Sequence, residues 1–323
     1  MALGEPFDLT GKRIFVAGHR GLVGSAIVRR LAREDCEILT APRRALDLTE
    51  QAATREWFIQ QRPDAVFLAA AKVGGVGAPH QAPADFLYDN LLIEANVMEA
   101  AHRSDVGKLL FLGSSCIYPK HADQPMVEDA LMTGPLDPIH EGYATAKIAG
   151  IRLAQAYRQQ HGRDFISAMP TNLYGPGDNF GPTTSHVLPA LIRKAHEAKL
   201  AGEAEMEIWG TGSALREFLH VDDLADACVF LMRNYSDDRH INVGFGEDIA
   251  ILDLVRLVND VVGFTGEIVH DRTKPDGTPR KLMDSCRLNA LGWQPSIRLR
   301  EGIAQTYEWF VQELETGRIR DLS

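Results

Sequence analysis

The run Lys12-Arg13-Ile14-Phe15-Val16-Ala17, followed by Gly18-His19-Arg20-Gly21-Leu22-Val23-Gly24 and an amphipathic stretch from Ser25 to Arg33, constrains the fold more than any other segment. Its order is strand, glycine turn, helix start. In such a unit the first glycine permits the tight turn, the second lets the backbone approach a pyrophosphate, and the third allows close helix–strand packing. The spacing is Gly-x-x-Gly-x-x-Gly, not Gly-x-Gly-x-x-Gly, and a glycine pattern alone also fits an ordinary strand-to-helix turn. The flanking strand and helix favour the dinucleotide reading.

Further strand-like runs recur at Glu37–Thr40, Ala65–Ala70, Lys108–Gly113 and Phe165–Met169, with helical stretches between them. That alternation is the pattern of βαβ crossovers in a parallel sheet. The expected fold class is α/β, a doubly wound parallel Rossmann-like sheet with a smaller α/β substrate lobe. After Pro170 the pattern changes to a loop rich in Gly, Pro and Asn, a helix near His186–Leu200, and shorter strands around Met206–Trp209, Phe218–Val221 and Ile241–Val243. Residues 1–170 are the expected dinucleotide-binding domain, with a return around 218–245 for which Asp222–Met232 and His240–Val243 are the candidates. Residues 171–323 mainly form the substrate lobe, and an amphipathic helix from Ile297 to Thr316 closes a core.

Composition narrows the function classes. A chain of 323 residues with 45% hydrophobic and 24% charged residues can bury a substantial core. A net charge of −10 argues against generic binding to nucleic acid or anionic membranes, although local basic residues and helix termini can still hold an anionic cofactor. The amino terminus lacks a basic segment followed by an apolar one, and no apolar run is long enough to cross a bilayer, so a cytoplasmic protein is expected. The four cysteines are scattered without metal-like spacing, so neither a disulfide framework nor a metal site is expected.

The chemistry begins with Tyr143-Ala-Thr-Ala-Lys147, in a segment of helical periodicity from Asp137 to Gln160. Residues four apart on a helix share one face, so a phenol and an ammonium share one pocket. The positive charge favours the phenolate and lowers the tyrosine pKa, which suits proton transfer at a carbonyl or alcohol. Ser114, in Gly113-Ser-Ser-Cys-Ile-Tyr118, can hydrogen-bond the same oxygen.

The glycine turn with Ser114 and Tyr143-x-x-x-Lys147 resembles the extended short-chain dehydrogenase/reductase superfamily. Ala69-Ala-Ala-Lys-Val-Gly-Gly75, Gly113-Ser-Ser-Cys-Ile-Tyr-Pro-Lys120, Pro170-Thr-Asn-Leu-Tyr-Gly175, Arg216-Glu-Phe-Leu-His-Val-Asp-Asp223 and Lys274-Pro-Asp-Gly-Thr-Pro-Arg-Lys281 narrow the resemblance to the GDP-L-fucose synthase family over nearly the whole chain. That resemblance implies a 3,5-epimerase and NADPH-dependent 4-reductase acting on a GDP-linked 4-keto-6-deoxy sugar, GDP-4-keto-6-deoxy-D-mannose, to give GDP-L-fucose. It also implies a homodimer formed through two helices per subunit, those spanning Ala84–Arg103 and Asp137–Gln160. Their apolar residues fit packing within the monomer equally well.

A reductase of a 4-keto sugar has no use for a thiol beside the carbonyl, so Cys116 calls for its own explanation. A ketone at C4 acidifies the hydrogens on C3 and C5, and a base on one face with an acid on the other can invert both centres through an enediolate. Cys116 is the candidate base. His186, at a helix start after the loop Asn179–Ser185, titrates in the useful range. The resemblance makes these two the epimerase pair, with Tyr143 protonating O4 as hydride reaches C4. Taken singly, a cysteine after a strand also fits a small buried hydrophobe, and a histidine near a helix start a satisfied polar group. Among the remaining histidines, His19, His121 and His140 carry no comparable catalytic context.

An NAD site usually places an acid at the end of the second strand, whereas an NADP site favours arginine. This chain reads Thr40-Ala-Pro-Arg43-Arg44 there. Asp47 is the only acid nearby, and the resemblance puts it with Leu48 at the adenine end. Arg20 with Arg43 or Arg44 can clamp a 2′-phosphate, though they also fit solvated surface charges. By the resemblance the cofactor is NADPH/NADP+, contacted by His19, Leu22, Val23, Lys147, Pro170, Thr171, Asn172, Leu173 and His186 in addition to Gly18, Gly21 and Gly24. Lys194, Arg216 and Lys281 are candidate diphosphate contacts, Asp276 is a further substrate-site candidate, and Trp209 can pack on the base or ribose. The family pattern has arginine where Lys194 stands, and lysine loses the bidentate fork. Trp209 also fits a core residue of its strand, and Arg216 a partner of Glu217 or another acid.

Two rival functions differ in class. A sugar dehydratase on this scaffold carries acids where this chain has Ser115, Cys116 and Ile117. An idle NADP-binding regulator has no need of Tyr143 or Lys147, and both are present. The arginines yield the first prediction: kcat/KM is higher with NADPH than with NADH, and an Arg43→Ala, Arg44→Ala double variant loses most of that preference. Steady-state kinetics with both cofactors check it, and an undiminished preference in the variant rejects the phosphate clamp.

Overall fold

The structure, a computed structural model, describes residues 6–74, 82–182, 184–274 and 276–319. Gly75, Thr183 and Pro275, members of the motifs named above, lie outside the described residues. Six parallel strands form the main sheet: β1 (Arg13–Ala17), β2 (Glu37–Leu39), β3 (Ala65–Leu68), β4 (Lys108–Leu112), β5 (Asp164–Pro170) and β9 (Ile241–Val243), in the order β2-β1-β3-β4-β5-β9. The chain runs outward from β1 to β2 and returns on the other side as β3. That reversal opens a crevice at the carboxyl ends of β1 and β3, where doubly wound sheets take their ligands.

The near-continuous apolar strands have the burial that two covered faces require: β3 and β4 are buried throughout. Along β1, Ile14 and Val16 join a core with helices α1 (Leu22–Leu31) and α6 (Val221–Asn234), while Phe15 and Ala17 join another with α2 (Gln51–Gln61), α3 (Pro83–Arg103) and α4 (Glu141–His161). Successive residues of a strand point to opposite faces, so one pentapeptide serves both cores.

A second sheet holds β10 (Asp248–Ala250), β8 (Leu215–His220) and β12 (Arg280–Lys281), with β6 (Asn172–Tyr174) also beside β8. A parallel pair joins β7 (Glu205–Trp209) to β11 (Glu267–Asp271). A third core packs α5 (Val187–Ala201), α7 (Ile251–Val262) and α9 (Leu299–Glu315), with the short α8 (Cys286–Ala290) beside β9. Among the described residues no helix is long and apolar enough to cross a membrane.

The strand boundaries differ from expectation where a turn begins early. Val221, expected to end a strand, starts α6 behind His220, whose ring accepts from the Asp222 amide as an N-cap at 3.3 Å. Asp137–His140 lies outside α4, which starts at Glu141 and stops where Gly162 takes a left-handed φ of 66°.

Two glycines of the turn are demanded by the protein itself. Gly18 has φ +85°, and a Cβ there would stand 2.7 Å from the Ala70 amide nitrogen; a Cβ on Gly24 would stand 2.1 Å from the Gly18 carbonyl oxygen. Gly21 has only one neighbour in range, that same oxygen at 3.3 Å. Gly24→Ala is therefore expected to destabilise the fold by about 2–4 kcal/mol, because backbone rather than a side chain must give way. Gly21→Ala is expected to cost about 1 kcal/mol or less. Denaturant unfolding of both variants checks this, and equal losses would mean that the turn relaxes as a unit.

Candidate active site

The cofactor end is built by the first crossover. Gly21 caps α1 in an extended conformation (φ −76°, ψ 169°) without a side-chain cap, so the first-turn amides face the crevice unshielded by protein side chains. These residues fit a dinucleotide pyrophosphate: Gly18 and Gly24 are used up by packing, and the bare Cα of Gly21 leaves the approach open. Burial and the neighbouring Arg20 charge hold His19 below the ordinary histidine value.

Arg43 and Arg44 are exposed in the loop beyond β2. Arg43 pairs with Asp47 at 3.3 Å. Asp47 is already engaged, its Oδ1 accepting from the Thr49 amide at 3.0 Å and hydroxyl at 2.8 Å. Burial opposes the charge on Asp47, yet Thr49 and Arg43 together hold its carboxyl below the usual range. Leu48 lies beside this turn, its carbonyl accepting from Asn96 at 2.9 Å.

Pro170 ends β5 buried. Thr171 and Asn172 turn their side chains toward Glu217: Thr171 hydrogen-bonds its carboxylate, and Asn172 Nδ2 donates to its carbonyl at 2.7 Å. Leu173 packs against the main core.

The reactive groups converge where β4 ends. Ser114 is extended and caps a short 3-10 turn, Ser115–Ile117, by accepting from the Cys116 amide at 3.2 Å. Its hydroxyl also hydrogen-bonds Tyr143. Serine, thiol and phenol thus form one cluster on two elements, β4 with its turn and α4.

The expected lowering of the tyrosine pKa is overturned. Burial, the Cys116 thiol and the Glu94 carboxylate push the Tyr143 phenol up, opposed only by Ser114. Burial is the largest cause, and the Lys147 ammonium, 5.7 Å from the Tyr143 ring centroid, is itself paired with Glu94 at 2.9 Å.

Cys116 opens into a pocket lined also by Tyr118, His140, Arg280 and Lys281. His140, given no role from sequence, caps α4 three residues ahead of Tyr143, and its buried Nδ1 has no hydrogen-bond partner among the described residues. Burial first, then the charges of Lys281 and His186, hold its imidazole below the ordinary value, with Asp137 opposing. His186 does not line that pocket; its charge is the last of those acting on His140, which puts it within electrostatic range of the pocket wall. His186 caps α5 and is exposed, yet the protein around it favours the neutral imidazole. The only sequence signal for His140 was its spacing from Tyr143.

The outer rim carries the cations. Register between β12 and β8 sets Lys281 beside Arg216. Arg216 is not the partner of Glu217: it forms no ion pair among the described residues, donates to the Leu215 carbonyl at 2.7 Å, and burial disfavours its charge. Trp209 is 67% exposed, so the core alternative is excluded, and Lys274 lies 5.6 Å from its ring.

Lys194 is exposed and donates to the Glu207 carbonyl. Asp276 is held by Thr211, whose amide and hydroxyl each donate at 2.8 Å. A half-buried guanidinium without a counter-charge is a cost the folded protein bears for an anion. Arg216→Met is expected to leave stability equal or raise it by about 1 kcal/mol. The same change is expected to weaken nucleoside diphosphate binding about tenfold or more. Thermal unfolding and calorimetric titration check the pair, and a destabilised variant with unchanged binding rejects it.

Comparison with known proteins agrees with this geometry. Residues 14–244 match the NAD dependent epimerase/dehydratase family. The chain is 58% identical over 306 residues to GDP-L-fucose synthase of Sinorhizobium fredii, covering 95% of this chain and 98% of that one. It is 50% identical over 320 residues to GDP-L-fucose synthase of Escherichia coli, covering 96% and 100%. Among solved structures it resembles a GDP-L-fucose synthetase from Naegleria fowleri bound to NADP, with TM-score 0.89, 28% identity and coverage of 98% and 99%. With a parallel dinucleotide-binding sheet, a serine–tyrosine–lysine cluster and full-length relatives, the chain belongs to the NAD dependent epimerase/dehydratase family, in its GDP-L-fucose synthase branch.

Proposed function

We propose that this protein is a bifunctional enzyme that inverts C3 and C5 of GDP-4-keto-6-deoxy-D-mannose and reduces its C4 ketone with NADPH, giving GDP-L-fucose. The observation that carries the reading is the thiol of Cys116 set on the same short turn as Ser114, beside Tyr143. Reduction alone does not use that thiol.

NADPH, when bound, supplies the hydride for C4. Gly18 to Gly24 would hold its pyrophosphate, and Arg20 with Arg43 or Arg44 its 2′-phosphate. Ser114 and Tyr143 orient the C4 oxygen. Cys116, as thiolate, takes the proton from C3 while His186, as imidazolium, delivers one to the opposite face; the thiol then loses its proton to solvent and His186 regains one before the same exchange at C5. Tyr143 then gives its phenolic proton to O4. Arg216 and Lys281 take the diphosphate, with Lys194 at the rim and Trp209 against the base or ribose; Asp276 belongs to the same substrate side. In this reading residues 1–170 with the return at 218–245 form the NADP-binding domain and 171–323 mainly the substrate lobe. The enzyme works in the cytoplasm as a homodimer through α3 and α4.

Cys116→Ser supplies the test, because it replaces the proposed base with a hydroxyl, a far weaker acid than a thiol. Incorporation of solvent deuterium at C3 and C5 is expected to fall about a hundredfold or more. Slow reduction should persist and yield a 6-deoxy sugar of unchanged C3 and C5 configuration. Mass spectrometry and NMR of the product check both halves. A variant that makes GDP-L-fucose at the parent rate makes Cys116 structural and overturns the epimerase assignment.

A further inference from the structure

His140 is a polar ring on the substrate side for which the proposed reaction has no use. It stands at the head of α4, three residues ahead of Tyr143, and its side chain makes no capping bond. A tight turn fixes its backbone: the Asp137 carbonyl accepts the His140 amide at 3.0 Å, and Asp137 Oδ1 accepts the Ile139 amide at 3.3 Å. The ring gains nothing from that turn. Its buried Nδ1 has no hydrogen-bond partner among the described residues and lies 3.9 Å from Asp137 Oδ2, beyond hydrogen-bond length. A buried ring nitrogen left unpaired carries a cost that an apolar cap would avoid. What remains exposed of the side chain, 21%, borders the pocket that holds Cys116 and Lys281.

The groups around that pocket fix which part of the sugar passes it. Ser114 and Tyr143 take the C4 oxygen, Cys116 works at C3 and C5, and Lys281 takes the diphosphate carried on C1. C2 is the ring carbon between C1 and C3, so its hydroxyl lies between the diphosphate and a carbon that Cys116 serves. His140 shares one wall with both Cys116 and Lys281. Other polar side chains of that wall are committed elsewhere: Tyr118 donates to Asn242, Gln124 accepts the Leu282 amide at 2.8 Å and donates to the Ala122 carbonyl at 3.2 Å, and Arg280 pairs with Asp248. A neutral imidazole offers one donor and one acceptor, the complement of an alcohol. Burial first, with the charges of Lys281 and His186, favours that form, and Asp137 opposes it.

We propose that His140 is a substrate-binding residue that hydrogen-bonds the C2 hydroxyl of the hexose, anchoring a ring carbon that neither inversion nor reduction alters. The inference rests on the function above, which sets the direction of the sugar in the site. The C3 hydroxyl changes face during epimerisation, and C4 changes from planar to tetrahedral on reduction. The C2 hydroxyl keeps its configuration throughout. A contact there, with the diphosphate held at C1, keeps the ring in place while its other carbons change shape.

The test pairs His140→Ala with an analogue of the keto sugar that lacks the C2 hydroxyl. For the natural substrate kcat/KM is expected to fall about tenfold or more in the variant, the usual consequence of a lost hydrogen bond to a bound hydroxyl. For the 2-deoxy analogue, parent and variant are expected to agree within about twofold, since the partner is already missing. An equal loss on both sugars makes His140 structural and overturns the proposal, and so does an undiminished kcat/KM on the natural one. If the variant fails to fold, the parent decides alone: it is expected to favour the hydroxylated sugar about tenfold, and parity between the two sugars overturns the proposal. A parent that does not convert the keto sugar at all sinks the functional reading instead. Calorimetric titration with GDP-mannose and its 2-deoxy counterpart then still reads the contact, and equal affinities overturn it.

Discussion

One buried carboxylate joins the two sheets. Glu217 lies on β8 with no exposed surface, and it accepts the Gly246 amide at 2.8 Å and the Met283 amide at 3.1 Å. The Phe245 amide and the Thr171 hydroxyl complete the set. Removing an ionised carboxylate from water costs several kcal/mol, and a hydrogen bond to a charged group returns about 1.5–3 kcal/mol. Four donors are thus about what the site requires, and they come from three stretches: the end of β5, the loop after β9 and the strand approach to α8. Burial still raises this carboxyl while the donors oppose it. The placement of Arg216 and Lys281 relative to Ser114 and Tyr143 depends on this junction, because β12 is registered on β8 and β8 is pinned to the carboxyl end of the main sheet.

The sequence made local geometry legible and long-range electrostatics illegible. The strand–glycine–helix unit could be read because Gly18 and Gly24 answer to contacts within their own turn and the strand beside it. The Tyr143–Lys147 spacing could be read because a helix fixes it. The direction of the tyrosine pKa could not, since it is decided first by burial, which only the folded chain creates, with Glu94 on another helix adding to it. Adjacency alone offers Glu217 as an alternative partner for Arg216, a candidate diphosphate contact, but successive strand residues point apart, and Glu217 turns to backbone amides instead. Trp209 lies on a strand with exposed and buried residues alternating, and the alternation puts it outside. His140 went unassigned because an N-cap histidine carries no signal in isolation; its meaning comes from the wall that Cys116 and Lys281 make around it.

The site separates two chemistries by electrostatics rather than by distance. Both need the C4 carbonyl polarised, since the enediolate places charge on the same oxygen that later receives a proton. Ser114 and Tyr143 therefore serve both halves of the proposed reaction. A tyrosine already ionised would repel the enediolate oxygen and have no proton to give, so a neutral phenol suits each step. The thiol has the contrary requirement, because it must lose its proton to act. Its negative charge would in turn push the phenol further from ionisation, the direction the structure shows. The surroundings of His140 and His186 favour the neutral imidazole, so His186 has to gain the proton it delivers within the catalytic cycle. Arg216 and Lys281 stand side by side with no ion pair among the described residues, and in the proposed reaction they take the diphosphate. Lys281 shares a wall with Cys116 and His140, so its charge bears on the groups around the thiol as well as on an anion.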